Sequence, residues 1–94
     1  MKFEDFKATT GTDNTIILWA DAPARRVRFL IGTSILTEQL GVKNPVHVEA
    51  SIKRCEAQRE KIEAACRRAF KRQPADFVSL TEIDFAAEPT PPPP

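Results

Sequence analysis

Apolar and polar residues alternate most cleanly at residues 26–31, where Val27, Phe29 and Ile31 fall on one side of an extended chain and Arg26 and Arg28 on the other. Residues 15–20 contain Ile16, Ile17, Leu18 and Trp19, β-branched and aromatic types with no breaker among them, and predict a strand just upstream. Pro23 lies between the two, and its ring pre-sets φ for the second position of a type I or II turn. The two strands therefore form a hairpin with one buried side. Residues 3–8, with Phe3 and Phe6 three apart, add a short first strand of weaker pattern, and residues 9–14 read as a loop by composition.

The period changes downstream. Gly32, Thr33 and Ser34 end the hairpin and offer hydroxyl caps for a short helix over residues 35–40, which Gly41 stops in the left-handed conformation. Asn44 and Pro45 then read as the cap and first position of a second helix, running to about Arg72 before Pro74. Its apolar stripe is Val48, Ile52, Cys55, Ile62, Cys66, Ala69 and Phe70, with Arg59 standing in the gap. Residues 75–80 predict a last strand with Val78 and Leu80 on one side, and residues 88–94 an extended, disordered proline-rich tail. The order is (β)ββ-α-α-β, an α+β domain over residues 1–87. One long amphipathic helix packs across a small antiparallel sheet and buries one face of each.

Length and composition agree with this. Ninety-four residues make one domain, and 41% apolar with 29% charged residues is ordinary for a folded chain. No stretch approaches the ~18 apolar residues of a membrane span, and the first six residues lack the apolar core of a secretory leader. Cys55 and Cys66, eleven positions apart in one helix, would lie roughly 16 Å apart, beyond the ~7 Å a disulfide spans. Free thiols point to the cytoplasm.

The net charge of +1 conceals segregation. Residues 24–31 carry three arginines and no acid, residues 53–72 hold eight Lys or Arg against three Glu, and residues 73–94 have four acids and no base. An electrostatic function must therefore reside in a patch.

The pattern Phe29-x-Ile31-x-x-x-x-Leu36, then Arg59-x-x-Ile62-Glu63-x-x-Cys66, then Val78-Ser79-Leu80-Thr81-x-x-Asp84-Phe85, covers residues 15–85 with the hairpin. In order and spacing it resembles a family of short proteobacterial proteins, the domain-of-unknown-function family fourteen-eighty-eight. The resemblance implies a cytoplasmic bacterial α+β domain and implies no activity.

Candidate chemistry is sparse. His47 has no carboxylate or nucleophile facing it at helical spacing, and one histidine with two distant cysteines does not build a zinc site. Cys66 precedes Arg67 and Arg68, but its place on the apolar stripe near a helix end favours an inert, buried thiol. Glu56 and Glu60 share a helix face with cations nearby and read as a solvated network. The three glycines do not cluster into a phosphate loop. The expectation is a protein without catalytic residues, metal or cofactor.

Three charged groupings remain. Arg59 on the buried stripe needs a partner, and Asp84 is the acid proposed to tie the helix to the C-terminal segment. Arg25, Arg26 and Arg28 flank the hairpin, and Arg67, Arg68, Lys71 and Arg72 end the long helix; sharing one face, they would contact phosphates without reading sequence. Ile17, Trp19 and Leu30 lie opposite the presumed core and form an apolar patch beside Arg26 and Arg28. The leading expectation is a small interaction module binding a protein partner or its own copy through this outer sheet face. The alternative is weak, sequence-independent nucleic-acid binding through the arginines.

Overall fold

The computed structural model describes residues 1–8 and 14–86, with the side chain of residue 86 excepted. The expected loop, apart from Asn14, and the proline-rich end lie outside the described residues. Three strands come first, β1 (Lys2–Ala8), β2 (Ile16–Ala22) and β3 (Arg25–Ile31). Helices α1 (Thr33–Glu38), α2 (Val48–Ala57) and α3 (Arg59–Arg72) follow, then β4 (Phe77–Ser79) and a short α4 (Glu82–Ala86). They form an α+β fold around one four-stranded sheet in the order β1-β2-β3-β4.

The first strand does form, pairing antiparallel with β2 through a register irregularity between Phe3 and Phe6. The hairpin turns through Pro23 and Ala24, and Ala24 has φ 68°, the left-handed value a type II turn demands at its third position.

The sheet is mixed rather than wholly antiparallel: β4 runs parallel to β3, pairing Arg28 with Phe77 and Leu30 with Ser79. The reason is connectivity. A helical crossover carries the chain from one end of β3 back to its beginning, and the strand that follows points the same way.

The expected single helix over residues 44–72 begins later and is broken. Asn44 closes a turn instead of capping a helix: its side-chain Oδ1 accepts from the Val46 N–H at 3.1 Å, and its carbonyl accepts from the His47 N–H at 3.1 Å. The helix starts at Val48 with His47 as its cap. The break falls at Gln58, whose backbone leaves helical geometry (φ −117°, ψ 31°). Here Gln58 and Arg59 occupy the place where a continuous stripe would need an apolar residue. Gln58 Nε2 donates to the Leu40 carbonyl at 2.8 Å, as does Arg54 Nε at 2.8 Å. These bonds fasten α2 to the segment after α1.

The hydroxyl caps expected for α1 are not used; Gly32 is its N-cap and no side chain caps it. Gly41 does take the left-handed conformation (φ 72°), two residues beyond the C-cap Gln39, while Val42 N–H returns to the Leu36 carbonyl at 2.9 Å.

One face of the sheet holds the core. Phe6, Ile16, Leu18, Ala20, Val27, Phe29, Ile31 and Val78 are buried there with Leu36, Leu40, Cys55, Ile62, Ala65, Cys66 and Ala69 of the helical layer. Both cysteines are free and buried. Burial raises the Cys55 thiol pKa to about 12, helped by Glu56. It pushes Cys66 higher still, with Glu63 and Asp84 adding to burial and Arg67 opposing them. No helix among the described residues is long and apolar enough to cross a membrane.

Candidate interaction surface

Strand alternation puts a second set of side chains on the face away from the core. The register aligns them in rows across the strands. Ile17 on β2 stands opposite Leu30 on β3, which stands opposite Ser79 on β4, with Lys7 of β1 beside Ile17. In the next row Trp19 stands opposite Arg28, and Arg28 opposite Phe77. In the third, Lys2 faces Asp21 and Asp21 faces Arg26. The helices α2 and α3 turn their buried residues to the other side of the sheet, so neither is seated across these rows. The first strand lies in the plane of the sheet and extends this face.

The middle row is a stack of ring and guanidinium. Arg28 Cζ lies 5.5 Å from the Trp19 ring centroid and 4.8 Å from that of Phe77, so the guanidinium sits between two aromatic side chains. Arg26 Cζ approaches the Trp19 ring at 4.5 Å. Such contacts contribute about 0.5–1 kcal/mol each at exposed sites, and they explain why Trp19 is half-buried although neither α2 nor α3 lies over it.

The arginines differ in what else they touch. Arg26 Nη2 donates to Glu4 Oε1 at 2.7 Å, reaching across β2. Arg25 stands at the end of the hairpin and meets Asp76 at 3.4 Å in an exposed pair. Arg28 is exposed, and among the described residues its guanidinium has no carboxylate or carbonyl partner beyond the two rings.

The helix-end cluster lies on the other side of the sheet. Arg67 is 3.8 Å from Glu63 and stacks 5.2 Å from the Phe3 ring. Arg68 Nε donates to the Asp84 carbonyl at 2.6 Å, and Lys71 is exposed on α3. Arg72 forks onto the Asp84 carboxylate, Nε to Oδ1 at 3.3 Å and Nη2 to Oδ2 at 3.0 Å. The two basic clusters therefore do not share a face.

The expected Arg59–Asp84 pair is not formed. Arg59 lies at the start of α3, more than two helical turns before Arg68 and Arg72, which meet Asp84 instead. Arg59 turns toward β1: its Nε donates to Glu63 Oε2 at 2.8 Å, its Nη2 to the Glu4 carbonyl, and its guanidinium covers the Phe6 ring at 5.1 Å.

Two features of the surface escaped the sequence reading. Phe77, 46% exposed, completes the middle row. Alternation from Val78 and Leu80 assigns it to the outer face, but the row itself needs β4 to be parallel and in register with β3. Glu4 is the other, since only the pairing of β1 brings it to Arg26.

At the carboxyl ends of β3 and β4 the face runs into a depression of about 300 Å³, lined by Leu30, Ser34, Ile35, Ser79, Thr81 and the carboxylates of Glu38 and Glu82 among others. His47 is exposed, far along the chain from these groups, and borders a separate shallow hollow with Val46, Glu49 and Lys53. Among the described residues no cluster of His, Cys, Asp and Glu could hold a metal ion. No protein-family model, curated protein or solved structure matches the chain.

Proposed function

We propose that this protein is a non-catalytic interaction module that binds a protein partner through the outer face of its sheet. The observation that carries the reading is the row Trp19–Arg28–Phe77, an arginine between two aromatic rings on a face that neither α2 nor α3 covers. Trp and Arg are the side chains most often responsible for binding energy at protein interfaces, and they act best near the centre of a patch. Here they stand between the apolar pair Ile17 and Leu30 and the charged pair Asp21 and Arg26. A second copy of the chain is the weaker occupant. Its three rows carry Lys2, Lys7, Arg26 and Arg28 against Glu4 and Asp21, with Glu38 and Glu82 beyond them at the depression, so two copies apposed row on row repel.

Sequence-independent nucleic-acid binding has less support. It drew its strength from joining the hairpin and helix-end clusters, and Arg67 and Arg72 are engaged with acids on the far side of the sheet.

The test is site-specific photo-crosslinking in cells that make the protein. A photoreactive residue at Ser79, exposed on the outer face, should give discrete protein adducts. The same residue at Lys71, exposed on α3, should give none. Adducts from Lys71 alone, or equal adducts from both, would sink the reading.

A further inference from the structure

Resting on that reading of the outer face, we infer that the partner presents a carboxylate, from an acidic extended segment, and that Arg28 is its anchor. Three observations converge. First, the Arg28 guanidinium is oriented in advance. Its Cζ lies over the Trp19 ring at 5.5 Å and over the Phe77 ring at 4.8 Å, so the two rings restrict the side chain without taking up its N–H groups. A planar fork held in this way matches a carboxylate with two parallel hydrogen bonds, and less rotamer entropy is lost on binding because the rings already restrict the side chain.

Second, the donors are unspent. Arg25 has Asp76, Arg26 has Glu4, Arg59 has Glu63, Arg67 has Glu63 and Arg72 has Asp84. Arg28, in the middle of the outer face, meets only rings among the described residues. Arg54 and Arg68 donate to the Leu40 and Asp84 carbonyls, so an acid from outside would give Arg28 the oxygen partner that the other arginines already have. Third, the rows around Arg28 bring Lys2, Lys7 and Arg26 to this face against Glu4 and Asp21. Glu38 and Glu82 stand beyond the rows at the depression, so an acidic segment is steered to the rows that hold Arg28. Ile17 and Leu30, one row away, supply apolar contact for the residues flanking the acid.

The site contains its own reporter. Trp19 is the single tryptophan, and the chain has no tyrosine, so emission excited in the near ultraviolet comes from the ring that stacks on Arg28. The experiment titrates the full chain with a peptide of alternating Glu and Thr, its Gln–Thr counterpart and an oligothymidylate. Binding is followed by calorimetry with Trp19 emission in parallel, at roughly 0.15 M salt. The Glu peptide should bind and shift Trp19 emission, and the Gln peptide should bind about tenfold or more weakly, the loss expected for a charge-assisted hydrogen-bonded pair. R28Q should lose the same factor and R28K part of it, whereas R25Q, which alters an arginine already paired with Asp76, should bind as the parent does.

Equal binding of the Glu and Gln peptides, or unchanged binding by R28Q, would overturn the anchor while a Trp19 response would leave the outer face as the docking surface. Tighter binding of oligothymidylate through Arg28 would replace the carboxylate with a phosphate and overturn the assignment. A dimer by light scattering that R28Q dissociates would give the face to a second copy, with the same consequence. No response from Trp19 to any probe would refute the anchor; crosslinks from Ser79 would then still separate that failure from failure of the docking surface.

Discussion

Asp84 is the place where the C-terminal segment is held to the rest of the molecule, and replacing it with alanine tests how. The carboxylate is 2% exposed. Its Oδ2 accepts from the Thr81 N–H at 2.9 Å and the Thr81 hydroxyl at 3.2 Å, which satisfies a backbone donor at the start of α4. Arg72 supplies the fork described above. Losing the cap-like bonds costs about 1 kcal/mol, by analogy with N-cap substitutions. The Arg72 contact adds at most about 1 kcal/mol, because that side chain is 39% exposed and water takes up its guanidinium when the acid is gone. The sum is about 2 kcal/mol. For a domain of this size that corresponds to a fall in Tm of about 8–16 °C.

The assay is urea and thermal unfolding of D84A, D84N, R72A and the D84A/R72A pair, followed by far-ultraviolet circular dichroism. D84N keeps the shape and one acceptor, so it should lose less than D84A. The double-mutant cycle should give a coupling of no more than about 1 kcal/mol. A D84A protein within about 0.5 kcal/mol of the parent would show that the contacts at Asp84 do not stabilise α4. A coupling near the 3–5 kcal/mol of a fully buried pair would show instead that solvent does not screen Arg72.

Other perturbations probe the turns and the core. Gly41→Ala should destabilise by about 1 kcal/mol, since φ is 72° and left-handed geometry costs a non-glycine residue about 1–2 kcal/mol, partly offset by a stiffer unfolded chain. The added Cβ would also meet Arg54 Nη2 at 3.1 Å, but that is the end of a flexible side chain; an unchanged urea midpoint would refute the strain argument. Ala24→Gly reverses the logic at φ 68° and should stabilise by about 0.5 kcal/mol; a lower midpoint would count against it. Burial raises both thiol pKa values above 9.0, Cys55 to about 12, so their neutral folded forms stabilise fully below pH 9. That stability is lost as pH rises toward the folded values. The urea midpoint of the parent should therefore fall more steeply above pH 9 than that of C55A/C66A, and parallel slopes would refute it.

Local pattern in the sequence determined the hairpin, the identity of its buried face and the free cysteines. Val27, Phe29 and Ile31 alternate with arginines, and period-two alternation fixes which side of a strand is apolar whatever that strand pairs with. Helix spacing likewise brought Cys55, Ile62, Cys66 and Ala69 to the core. The same pattern lacks an apolar residue at Gln58 and Arg59, and this is where the break between α2 and α3 falls. Periodicity alone runs through the gap because it averages over several turns.

What tertiary structure alone decided are the pairings between segments distant in the chain. Arg59 finds Glu63 one turn along its own helix, a pairing that local spacing allows. But only the packing of α3 against β1 gives it the Glu4 carbonyl, and only the return of the C-terminal segment sends Asp84 to Arg68 and Arg72. The Trp19–Arg28–Phe77 row is of the same kind. Alternation gives each residue a side, but the row exists because the crossover returns β4 parallel to β3 with Phe77 opposite Arg28. Period and composition are properties of neighbours along the chain. Register between strands and the partner a charge finds depend on how loops and helices close, and one sequence of turns can close in several ways until packing selects among them.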